Sequence, residues 1–99
     1  MPFEMTVGLL VSDNETYTRY RTEIAPLLEA AGAAFRFDFE IARILKSEGD
    51  RKINRLFVLR FPDRAAKERF FADPRYLEIR GRLFEKAVEQ TTILSEHAG

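Results

Sequence analysis

Four ionic side chains on two extended stretches are the groups best able to hold a small polar ligand. Arg36, Asp38 and Glu40 alternate along FRFDFEIARI (Phe35–Ile44), and Arg60 lies near the end of a second such stretch, Lys52 to Phe61. On paired strands these side chains can share one face, where arginines act as anion partners and carboxylates accept from hydroxyls. The competing reading is mutual salt bridging or plain solvation, the usual fate of strand-borne charges. Tyr17, Tyr20 and Tyr76 fall on helical faces, where a phenol in a crevice can orient a substrate or donate a proton; more often it is a core aromatic. His97 is the one histidine and cannot build a multi-histidine metal site, although a C-terminal tail can reach across a dimer. The candidate ligand contacts are therefore Tyr17, Arg36, Asp38, Arg60 and His97. No metal ligand set, glycine-rich phosphate loop or nucleophile elbow is present, so no cofactor is expected and the residues specify no reaction.

These groups need a scaffold, and the patterning supplies one. Phe3 to Val11 alternates Phe3, Met5, Val7, Leu9 and Val11 with Glu4, Thr6, Gly8 and Leu10, which makes a strand with one apolar face. Ser12 and Glu15 have capping-box spacing, and Tyr17, Tyr20, Ile24, Leu27 and Leu28 then form a helical stripe closed by Gly32, with a kink or restart expected at Pro26. The second strand is expected from about Ala33 to Lys46. It puts Phe35, Phe37, Phe39 and Ile41 under the helices and Arg36, Asp38 and Glu40 on the opposite face. After the turn Ser47–Asp50, Lys52 to Phe61 returns as an interior strand, apolar on both faces over Leu56 to Leu59. Asp63 caps a helix over Arg64 to Ala72. Asp73-Pro74 opens another, with Tyr76, Leu77, Ile79, Leu83 and Phe84 on its apolar side. Val88 to Ser95 closes the chain as a fourth strand. The order strand, helix, strand, strand, helix in two pieces, strand is that of a ferredoxin-like α+β fold: a four-stranded antiparallel sheet with helices on one face.

Ninety-nine residues are expected to form one domain, 1–99. Sixteen basic residues balance sixteen acidic ones, which disfavours nucleic-acid and anionic-membrane partners. The absence of cysteine excludes disulfides and thiolate sites. With no signal-peptide pattern at the start and no apolar run of spanning length, the expected location is cytoplasmic.

Residues 61 to 87, FPDRAAKERFFADPRYLEIRGRLFEKA, carry a further signal. A strand ending in Phe61-Pro62, paired aromatics at Phe70 and Phe71, and Asp73-Pro74-x-Tyr76 opening a helix resemble the bacterial domain-of-unknown-function family thirteen-thirty, of the dimeric α+β-barrel superfamily. The first half agrees through Tyr17-x-x-Tyr20-Arg21 and Pro26 ahead of Gly32. It departs at Ala31-Gly32-Ala33 and in the charged, phenylalanine-rich second strand, where that family carries a glycine pair and a glycine-rich strand. The resemblance implies a homodimer whose sheets pack through their helix-free faces. The residues lead to a compatible place, since a helix-free face bearing Leu56, Val58 and Leu10 is better covered than wet. Two functions follow. One is binding or transformation of a small organic molecule in a crevice between sheet and helices; the other is a non-enzymatic dimeric module. An open cavity lined by tyrosine and arginine would favour the first and a collapsed interior the second.

Overall fold

Alternation in the first strand is realised without a break: β1 (Phe3–Val11) turns Phe3, Met5, Val7, Leu9 and Val11 inward, each at most 5% exposed. The computed structural model describes residues 1–98. α1 (Asn14–Ala30) follows, then β2 (Ala34–Glu40), β3 (Arg55–Phe61), α2 (Arg64–Ala72), α3 (Pro74–Ile79), a π-helical turn over Arg80–Phe84, the short α4 (Glu85–Ala87) and β4 (Val88–Ala98). The strands form one antiparallel sheet in the order β2-β3-β1-β4, so β1 and β3 are interior, β3 as its two-sided apolarity requires. All helices lie over one face: the fold is ferredoxin-like.

Caps and turns follow local chemistry. Asp13, not Ser12, caps α1: its Oδ1 accepts from the Thr16 amide at 3.0 Å, while the Ser12 amide donates to the Ala87 carbonyl at 2.8 Å and ties the end of β1 to the start of β4. α1 runs through Pro26 without a restart. Pro26 and Thr22, whose carbonyl loses its amide partner there, are both exposed, so water can take that acceptor's place. Gly32 ends the helix at φ +72°, with Pro62 where a Cβ would sit. Asp63 accepts from the Ala66 amide and Asp73 from the Arg75 amide, which starts α2 and α3 where the sequence places them.

The second strand corrects the expected facing. β2 pairs Phe35 with Leu59, but the next pair is Phe37 with Val58, so Arg36 is an extra, bulged residue. A one-residue slip sends every later side chain to the opposite face. Phe35 therefore stays under the helices, while Phe37 and Phe39 emerge on the helix-free face, 47% and 51% exposed, with rings stacked at a centroid distance of 6.1 Å. Asp38 and Glu40 move to the helix side, beside Phe57 and Arg55. β2 also ends at Glu40 and β3 begins at Arg55, because the chain between them leaves the ladder. Its ends are pinned by the Ile41 amide on the Asn54 carbonyl and by Asn54, whose side chain brackets the Val11 backbone with two 2.8 Å bonds. Ile53 folds over the helix-free face at Gly8, filling the space a Cβ would need.

Candidate functional site

The sheet's helix side and the helices do not close completely on each other. A cavity of about 260 Å³ lies between them. Its floor is apolar: Met5, Val7 and Leu9 from β1, Phe57 and Leu59 from β3. Tyr17 and Tyr20 from α1, Phe71 from α2, Tyr76 from α3 and Phe84 from the π-helical turn wall it. Phe35 from β2, Lys67, Arg80, Thr91 and Ile93 complete the lining, Thr91 and Ile93 standing on the edge strand β4.

Three phenols bring polarity into this apolar space. Tyr20 and Tyr76, 56 residues apart, share a buried hydrogen bond of 2.9 Å between their hydroxyls. Aromatic contacts fix both rings: Tyr20 against Phe84 at 5.0 Å, Tyr76 against Phe70 at 4.8 Å and Phe71 at 5.3 Å. Whichever phenol donates, the other keeps a proton for an acceptor in the cavity. Tyr17, 1% exposed, accepts from Arg21 Nη1 at 3.1 Å, so its own proton is also left to donate. Behind it Arg21 and Arg55 converge on one carboxylate, Asp38 Oδ2, at 2.9 and 3.4 Å. The Arg55 guanidinium lies 4.9 Å from the Tyr17 ring centre, and its buried Nε has no partner. Asp38 thus acts on the cavity indirectly, holding the arginine that holds the phenol.

Burial is the main reason all three phenols resist ionisation, lying above the usual tyrosine range. At Tyr17 the Arg21 charge works against that rise, and at Tyr76 the hydrogen bond shared with Tyr20 does. A group whose proton is held more tightly in the folded state stabilises it below the unfolded pKa, near 10, and loses that contribution as pH rises further. Tyrosinate absorbance should therefore stay flat through pH 10 and appear together with loss of far-ultraviolet ellipticity in one alkaline transition. Ionisation of any tyrosine in a still-folded chain near pH 10 would contradict this burial.

The five residues singled out from the sequence do not converge. Tyr17 lines the cavity, and Asp38 stands behind it. Arg36, Arg60 and His97 lie on the opposite face around Glu4: Arg36 at 2.8 Å, Arg60 at 3.7 Å, His97 as Glu4's cross-strand neighbour. The bulge at Arg36 separates Asp38 from the arginines expected beside it. Lys67, Arg80 and Thr91 line the cavity without belonging to those five. Arg80 left a trace in the sequence, four residues from both Tyr76 and Phe84 and hence on their helix face. Among the described residues no cluster of three or more potential metal ligands occurs, and no helix is long and apolar enough to cross a membrane.

With this geometry in place, comparison with known proteins is informative. Residues 6–97 match the family described as Domain of unknown function (DUF1330). The chain belongs to this family. No curated protein matches this DUF1330 chain. Among solved structures it resembles a Rhodopseudomonas palustris protein of unknown function (TM-score 0.80, 20% identity, 97% of this chain and 80% of the other). It also resembles a Bacteroides fragilis protein described as dimeric with a ferredoxin-like fold (TM-score 0.64, 9% identity, 99% and 96% covered). A third likeness is to hydroxynitrile lyase from Passiflora edulis (TM-score 0.68, 15% identity, 97% and 91% covered). At these identities the likeness is one of fold.

Proposed function

We propose that this DUF1330 protein is a homodimeric, single-domain binding protein for a small, largely apolar organic molecule. The ligand occupies the cavity between sheet and helices and is oriented by the hydroxyls of Tyr17, Tyr20 and Tyr76. The observation that carries this reading is the cavity itself: apolar floor, aromatic walls and three phenols in a chain that has only three tyrosines. An interaction module has no need of such a space, and a close-packed interior would stabilise it better. The dimer rests on the helix-free face, where exposed Phe37 and Phe39 adjoin half-buried Leu56 and Val58. Overall neutrality and the lack of cysteine support a cytoplasmic small-molecule binder over a nucleic-acid partner.

Thermal melting with neutral monocyclic probes tests the reading. Benzyl alcohol and benzamide should raise the melting temperature of the native chain. Val7→Phe, which fills the cavity from its floor, should remove the shift while the protein still melts cooperatively. Equal shifts in both proteins, or none from any probe in the native one, would defeat the proposal.

A further inference from the structure

We infer that the ligand of this cavity is a carboxylic acid on a monocyclic, apolar body, its carboxylate held by Arg80. This rests on the binding reading above and adds the chemical class. The chain as a whole has no net charge, yet the side chains lining the cavity include two cations, Lys67 and Arg80, and no acid. Lys67 is already engaged by Glu96 at 3.2 Å. Arg80 forms no ion pair among the described residues. Glu78 and Glu23 both pair with Arg82, two residues on, and Glu85, whose amide donates to the Arg80 carbonyl, makes no ion pair with it. A guanidinium beside an apolar cavity, paired with no carboxylate of the described residues, is a preformed anion site.

Backbone geometry points the same way. Arg80 opens the π-helical turn Arg80–Phe84, and widened turns of this kind recur at functional sites. Here Arg80 and Phe84, at the turn's two ends, both face the cavity, the guanidinium 5.6 Å from the Phe84 ring centre. The positive charge also works against the rise that burial imposes on both Tyr20 and Tyr76, so it acts on the paired hydroxyls. A carboxylate at Arg80 would therefore have phenolic donors within the same cavity. An apolar cavity of about 150 Å³ suffices for benzene, so one of about 260 Å³ has room for a single ring bearing a carboxylate, as in benzoate.

Calorimetric titration of the native protein and its Arg80→Gln and Arg80→Lys variants with benzoate and its neutral isostere benzamide tests this. Native protein should prefer benzoate by about tenfold or more. Arg80→Gln, a change at an exposed position, should lose that preference, its benzoate affinity falling about tenfold further than its benzamide affinity, and Arg80→Lys should retain part of it. Benzamide bound as tightly as benzoate by native protein, or a benzoate preference unchanged in Arg80→Gln, would overturn the acid assignment and leave the cavity's role standing. Binding of neither compound would overturn both.

Discussion

Phe37→Asp should leave each chain folded and split the proposed dimer. Phe37 stands on the helix-free face, 47% exposed, stacked on Phe39 and paired across strands with Val58. In the isolated chain a carboxylate there enters water, so it costs the fold little. At an isologous interface the same residue is buried twice, once from each subunit. Loss of an aromatic anchor costs about 2 kcal/mol or more, and two copies cost about 4 kcal/mol before desolvation of the new carboxylates is counted. At 1.4 kcal/mol per decade that is about a thousandfold in the dissociation constant. Sedimentation velocity at micromolar concentration should show a dimer for the native chain and a monomer with native far-ultraviolet ellipticity for the variant. Leu59→Asp, by contrast, buries its charge in the core at a position 5% exposed and should unfold the chain. A Phe37→Asp variant that remains dimeric with unchanged affinity, or that unfolds as Leu59→Asp does, would remove the helix-free face from the assembly.

That prediction reverses what alternation by itself suggests, and the reason is local. A period-two pattern assigns Phe35, Phe37 and Phe39 to one face only if the ladder is unbroken. The bulge at Arg36 breaks it, and nothing in FRFDFE marks where, since either register buries phenylalanine on one side and charge on the other. The candidate ligand contacts divide accordingly: alternation puts Asp38 on one face with Arg36 and Arg60, and the bulge sends it across the sheet from them. The apolar continuation through Ile41 and Ile44 similarly suggested a longer β2, whereas the ladder stops where Ile41 meets Asn54. Elements with a terminal signature were legible to within a few residues. Asp63 and Asp73-Pro74 start α2 and α3 as read, because a cap is a local bond between a side chain and an amide three or fewer residues away. The cavity was harder to see. It depends on how far helices stand off a sheet, and that is set by Tyr20, Phe84, Tyr76 and Phe71 packing against one another over long sequence separations. Each tyrosine looks like an ordinary core aromatic in the sequence, and in part each is one.

The largest loss of stability from a single truncation is expected for Phe61→Ala. Phe61 is 0% exposed, lies beside Phe3 across the β1–β3 ladder, and meets Phe70 and Phe71 at ring distances of 5.8 Å each. Those two rings hold Tyr76, so Phe61 props up one wall of the cavity from behind. Truncation removes the transfer energy of the ring and leaves a void that β3, locked between β1 and β2, is poorly placed to fill; such changes cost about 3–5 kcal/mol. Against the roughly 5–15 kcal/mol typical of whole domains, that is a large share, and at several degrees per kcal/mol it lowers the melting temperature by on the order of 20 °C. Urea titration should show a lower midpoint with an unchanged slope, because the surface exposed on unfolding hardly alters. Benzamide should then stabilise the variant less than the native chain, since the Phe70–Phe71–Tyr76 wall gains room to relax and the Tyr20–Tyr76 bond loses its fixed geometry. A loss below about 1 kcal/mol would mean that the aromatic cluster repacks freely. The cavity it walls would then be soft, and three phenols held at set positions could no longer be what orients a ligand there.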